Sequence, residues 1–320
     1  MNIVTSYFLV RKLPGTLAMG GDIQKNQKAR QREYMECLRL NQQHPGVASI
    51  HLIVEGLDAY EHLLEHVLCN PHFHSDPTLN SSTMPITARH RSGHVAPIVP
   101  VVRFASGMPL YADLFAYANQ LLSHRLTMVC NADVYLSSDH FSLSAVQDLF
   151  RQSSTIPPPR TPLCSESHTR TTEGTEAGAT RPYLAQNWGN PLALALTRYE
   201  SDSPLDAPFL YDYRGSHDAF VFVPPVPPSF VRRVAHPQNS YKAENIVLHE
   251  LQRSGYLTLN PTLGDGVRLV HHHAADLRQW FPPVDESRYG RAQPSTVAQA
   301  ASCICEEARV RSLPLCLHKD

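Results

Sequence analysis

The chain has 320 residues, a formal net charge of −1 and 42% hydrophobic residues, enough apolar side chain for a full α/β core in one domain with appendages rather than two equal domains. No basic run stands out, which argues against a nucleic-acid partner, and no stretch approaches the ~20 apolar residues of a membrane-spanning helix. Seven cysteines (Cys37, Cys69, Cys130, Cys164, Cys303, Cys305 and Cys316) form an odd, unevenly spread set that suits a reducing compartment, and with no leader pattern ahead of the first apolar run the expected location is the cytoplasm.

Asn2 to Phe8 reads as a first strand whose end, at Ser6 and Tyr7, is either an ordinary strand end or the place where a nucleotide base would lie in a doubly wound sheet. Gln24 to Gln43 places Tyr34, Met35, Cys37 and Leu38 on a helical repeat and reads as a crossover helix. Val47 to Val54 is a second strand; the carboxylate after it, Glu55, is suited either to a ribose or to capping the helix expected over Leu57 to Val67. His, Pro, Ser and Thr then dominate an insertion over about 70–97, before a strand at Ile98 to Val102 followed by Arg103. Tyr111 to Leu122 sets Leu114, Phe115, Ala118 and Leu122 on one helical face.

That helix feeds the run Leu126 to Ser137, in which an apolar strand stops at Asn131-Ala132-Asp133. A buried parallel strand would deliver Asp133 to the sheet edge where α/β folds bind ligands, although an Asp ending such a run is also a common turn or helix cap. Phe141 to Phe150 is a helix with Ser142 or Ser144 as its cap, and about 151–182 has the composition of a disordered insertion. Strand pattern resumes over Pro191 to Tyr199, so the insertion interrupts one domain.

Gly215-Ser216-His217-Asp218 precedes the apolar Ala219 to Phe222. Adjacent residues on an extended chain cannot form a hydrolase relay, so Asp218 reads as a general base for a hydroxyl or as a turn cap. Glu244 to Gln252 is an amphipathic helix facing inward with Val247, Leu248 and Leu251 and closed by Gly255; Asn245 in its first turn is a cap or a substrate contact. In Val267 to His273, an extended chain puts His271 and His273 on one face, where two imidazoles either hold a metal with a distant carboxylate or form a solvent-exposed histidine run. A domain over 1–281 is expected to be followed by a tail, 282–320, in which Cys303, Cys305, Cys316 and His318 lack the spacing of a standard zinc module.

Taken jointly, Ile3–Phe8, Tyr111–Asn119, Asn131–Leu136, Ala195–Tyr199, Gly215–Phe222, Glu244–Pro261 and His271–Arg278 resemble, in order, the motifs of a family of GT-A-like glycosyltransferases found in bacteria, algae and large viruses. Departures are Ala132 for a serine, His217 for a glutamine, Phe220 for a tryptophan, Ile246 for an arginine and Ala275 for a serine. The resemblance implies a GT-A-like (Rossmann-like) α/β fold, a mostly parallel sheet with helices on both faces interrupted by long loops. It implies transfer of a sugar from a nucleotide-diphosphate donor to a hydroxyl acceptor with Mn²⁺ or Mg²⁺. Asp133, His271 and His273 would then bind metal, Asp218 would be catalytic, and Ser6, Tyr7, Glu55, Arg103, Tyr111, Asn131, Arg198 and Asn245 would face the nucleotide sugar. The rival expectations are a catalytically degenerate sugar-nucleotide-binding or protein-interaction module and, third, a nucleotidyltransferase on a similar fold.

Overall fold

The computed structural model describes residues 1–10, 17–18, 23–68, 87–89, 95–98, 100–156, 191–200, 216–264, 266–273, 275, 277–278 and 283–312. In chain order the strands are β1 (Asn2–Tyr7), β2 (Leu17–Ala18), β3 (Ser49–Glu55), β4 (Thr87–Arg89), β5 (Val95–Pro97), β6 (Val101–Ala105), β7 (Thr127–Cys130), β8 (Val134–Phe141), β9 (Leu192–Leu196), β10 (Arg198–Glu200), β11 (Ala219–Phe222), β12 (Leu257–Leu259), β13 (Val267–His271) and β14 (Leu277–Arg278). The helices are α1 (Ile23–Gln43), α2 (Gly56–Leu63), α3 (Tyr111–Leu121), α4 (Leu143–Ser153), α5 (Pro228–Arg233), α6 (Ala243–Arg253) and α7 (Val297–Ser312).

Seven strands form the main sheet in the order β12-β9-β11-β7-β1-β3-β6. All its pairings are parallel except those of β11, which runs against both β7 and β9. The strands read as continuous apolar runs because both faces are covered, and alternate residues feed two separate cores. Ile3, Met128, Leu194 and Val221 join one cluster with Leu38 of α1, Leu63 of α2 and Leu149 of α4. Val4, Val129, Ala195 and Phe220 join the other with Phe115 of α3, Phe230 of α5 and Leu251 of α6. Helices therefore lie on both faces, as right-handed crossovers from a parallel sheet require. From β1 the chain builds outward through β3 to β6 and then returns to place β7 on the other side of β1. The crevice at the carboxyl ends of β1 and β7 is thus the point where the winding reverses, the usual ligand position in such sheets.

A second sheet, β10-β13-β8, stands beside the first. β13 runs parallel to β10 with His271 opposite Glu200, and antiparallel to β8 with His271 opposite Val134.

Several expectations change. The strand expected at Ile98 to Val102 pairs only from Val101, opposite His51; Pro100 has no N–H to give the ladder, so the edge strand starts after it. The helix expected from Phe141 begins at Leu143, because β8 continues through Phe141 and Ser142 Oγ accepts the Ala145 N–H (3.2 Å). Within the insertion over about 70–97, β4 and β5 pair antiparallel, and the rest of that insertion beyond residue 68 lies largely outside the described residues. Of the insertion over about 151–182, residues 151–156 complete α4 and its following turn, with Ile156 buried; 157–190 lie outside the described residues. The stretch after residue 282 packs on the same body: Ala300 and Ile304 of α7 join the core that contains Ile3 and Leu149. Cys303 and Cys305 are exposed on α7, and Cys316 and His318 lie outside the described residues.

Candidate functional site

A cleft of about 440 Å³ opens at the carboxyl ends of β1 and β7. Ser6, Asn131, Asp133, Arg198, Asp218, Asn245, His271 and His273 all line it, together with Arg30, Lys242, Glu244 and Tyr289. Tyr111 stands behind the wall and donates from Oη to Asn131 Oδ1 (3.0 Å). Tyr7, Glu55 and Arg103 do not line this cleft: Tyr7 Oη contacts His62 Nδ1 (2.8 Å), Glu55 ends β3, and Arg103 donates to Gln120 on the exposed edge (3.0 Å).

Strand register explains how distant residues meet. Asp133 directly precedes Val134, the partner of His271, and the His272 N–H donates to the Asp133 carbonyl (2.9 Å). Glu200 is opposite His271 on the other side of β13, and His271 Nδ1 contacts Glu200 Oε2 (2.7 Å) while Nε2 faces Asp133 Oδ2 (3.2 Å). His273, two residues on, returns to the same face, so that one ligand atom from each of Asp133, His271 and His273 lies within 4.8 Å of the other two. Arg30 of α1 ion-pairs with Asp133 and with Glu33 (2.7 Å) and donates to the His272 carbonyl (3.1 Å), while Glu33 accepts the Ala275 N–H (2.6 Å). Helix α1 therefore pins the chain just after β13, beside both histidines.

The donor set fits a divalent cation. Asp133 Oδ1 is buried with no hydrogen-bond partner among the described residues, a lone pair that a cation in the cleft would satisfy. Glu200 on His271 Nδ1 is the outer carboxylate that metal-ligating histidines generally have, and it directs Nε2 toward Asp133. Burial alone would raise the Asp133 carboxyl, but Arg30 and His271 hold it well below the usual carboxylate range. Burial likewise opposes charge on His271, yet Asp133 and Glu200 outweigh it and lift the imidazole to about 9. A bound cation would take over the role of that proton.

On the opposite wall Asn131 is a junction. Its Oδ1 accepts from Tyr111 and from Gln238 Nε2 (3.4 Å), and its Nδ2 donates to Asp218 Oδ1 (3.3 Å) and Glu244 Oε1 (3.1 Å). Gln238 in turn accepts from Ser6 Oγ (2.5 Å). Asp218 pairs with Arg198 Nη1 (2.8 Å), and Arg198 Nε also reaches Glu200 (3.0 Å), which couples the two walls. Asn245 clamps the chain after residue 283, donating from Nδ2 to the Gly290 carbonyl (3.0 Å) and accepting the Gly290 N–H on its own carbonyl (2.9 Å). Lys242 caps α6 with φ 63° and lies beside the rings of Tyr241 and Tyr289 (5.2 and 5.6 Å); a non-glycine residue in the left-handed region is a kind of strain that clusters at binding sites.

Arg30, Glu200, Gln238 and Glu244 escaped the sequence reading. Glu200 shares with Asp133 only the placement of a carboxylate after an apolar run, and nothing in its own segment ties it to His271. No helix of the described residues is long and apolar enough to cross a membrane. No family model, no curated protein and no solved structure matches this chain.

Proposed function

We propose that the protein is a glycosyltransferase with a GT-A-like fold, moving a sugar from a nucleoside-diphosphate donor to a hydroxyl acceptor with the help of a divalent cation. The observation that carries this reading is the group Asp133, His271 and His273, with a buried oxygen that has no partner among the described residues, at the reversal point of a mostly parallel sheet. A cation there would neutralise the diphosphate and the charge that develops on it as the sugar departs. Two imidazoles and one carboxylate favour Mn²⁺ over the strictly oxygen-seeking Mg²⁺.

This chain's own residues supply the rest. Arg30, Arg198 and Lys242 give a cationic lining for the phosphates. Ser6 and Gln238 line the wall on the β1 side, while Asp218 and Glu244 provide carboxylates where a hydroxyl acceptor would lie.

The test is a thermal-shift screen of nucleotide sugars with and without Mn²⁺, followed by donor hydrolysis and transfer assays on the donors that bind. Mn²⁺-dependent stabilisation by one nucleotide sugar and its transfer to a hydroxyl acceptor are expected. Binding without turnover would assign the cleft to a sugar-nucleotide-binding module, and no stabilisation by any donor would remove the reading.

A further inference from the structure

We infer that Glu244, at the start of α6, is the base that takes the proton from the acceptor hydroxyl, and that Asp218 positions it. This rests on the glycosyltransferase reading above. The two carboxylates share one donor, Asn131 Nδ2, at 3.1 Å from Glu244 Oε1 and 3.3 Å from Asp218 Oδ1. They differ in what else holds them.

Asp218 is 2% exposed and fully engaged. Oδ1 accepts from Arg198 (2.8 Å) as well as Asn131, and Oδ2 accepts from Ser216 Oγ (3.2 Å). Its main chain is also tied, the N–H to the Leu196 carbonyl (3.0 Å) and the carbonyl to the Asn131 N–H (3.0 Å). Both oxygens are thus committed to protein donors, which leaves Asp218 to hold Asn131 and Arg198 in place. Glu244 lines the cleft and makes no ion pair within 4.0 Å among the described residues. Around it stand Asp218 and Arg198 from the sheet, Tyr111 from α3 and Lys242 from the preceding turn. Burial first and the Asp218 charge second push its carboxyl up to about 8, and Arg198 and Asn131 act against them. A base with a proton affinity near working pH transfers protons most effectively.

The step balances without any further reactant. The acceptor O–H bond breaks as its proton passes to the Glu244 carboxylate. The oxygen forms a bond to the anomeric carbon, and the bond from that carbon to the diphosphate oxygen breaks with its electron pair leaving on the nucleoside diphosphate. Glu244 then returns its proton to water.

The experiment measures transfer and Mn²⁺-dependent donor binding in wild type, Glu244→Gln and Asp218→Asn across pH. Glu244→Gln should lose ~10²–10⁴-fold in kcat with unchanged donor Kd and a single cooperative melting transition. Asp218→Asn should keep measurable turnover and move the rising limb of kcat/KM to lower pH, because a neighbouring negative charge has gone. Turnover of Glu244→Gln at the wild-type rate overturns the inference while leaving the transferase reading intact; a wild type that transfers nothing across the donor panel overturns both. If Glu244→Gln does not fold, Glu244→Asp carries the test: withdrawing the carboxylate by one methylene should cost about 10²-fold in kcat, and an unchanged kcat overturns the assignment.

Discussion

Replacing Gly290 by alanine tests the packing that closes the cleft from the C-terminal side. A Cβ there would lie 2.4 Å from the His249 nitrogen, 2.8 Å from the Leu248 carbonyl carbon and 2.9 Å from the His249 Cα. All three atoms are backbone of α6, so no side chain can turn away; the 289–292 segment must retreat by about 1 Å to reach ordinary contact. Overpacking of this kind costs ~1–3 kcal/mol. The retreat also breaks the two hydrogen bonds between Gly290 and Asn245, worth ~1 kcal/mol each. A total loss of ~3–5 kcal/mol is expected from urea unfolding at unchanged m. Donor affinity should fall with it, since Asn245 and Tyr289 both line the cleft. A loss below ~1 kcal/mol would show that the chain after residue 283 does not sit on α6, and would remove Tyr289 from the cleft wall.

Glu200→Gln should weaken Mn²⁺ binding by ~10–100-fold without preventing it, because Glu200 orients His271 and does not itself belong to the donor group; calorimetric titration reads the change. Glu244→Gln should alter the pH dependence of stability. The folded carboxyl, at about 8, binds its proton more tightly than the unfolded one, so wild-type stability falls as pH rises from ~4.5 through ~8. The variant should lack that fall and be more stable than wild type at pH 9, with near-equal stability at pH 4; identical slopes would contradict a raised Glu244 carboxyl. Phe220→Ala should cost ~3–5 kcal/mol in chemical denaturation, as Phe220 is fully buried between the rings of Tyr111 and Phe115; a cost under ~1 kcal/mol would mean that this face collapses to fill the space.

The central strands were legible because burial on both faces leaves them apolar throughout, and α6 because Val247, Leu248 and Leu251 recur at helical spacing before Gly255, whose φ of 85° ends the helix. The union of His271 and His273 on one face also followed from local geometry, the two-residue period of an extended chain. What could not be read was pairing at a distance. Glu200 meets His271 across 71 positions and Arg30 meets Asp133 across 103, so each looked like an ordinary charged residue in its own segment. Glu244 looked like a helix-starting acid for the same reason; only the antiparallel β11, which brings Asp218 to the same edge, makes it one of a pair. The run through Tyr199 reads as one strand, but its end leaves the main sheet as β10; β10 and the polar stretch of β8 gain their structure from β13 between them.

A Mn²⁺ titration followed by electron paramagnetic resonance tests the central claim most directly, since the free ion's six-line signal vanishes on binding. Wild type should bind one Mn²⁺ per chain in the absence of nucleotide, and Asp133→Asn and His273→Ala, each folded by its melting transition, should leave the signal of the free ion undiminished. Equal Mn²⁺ uptake by wild type and both variants, or no uptake by the wild type, would contradict a metal centre built from Asp133, His271 and His273.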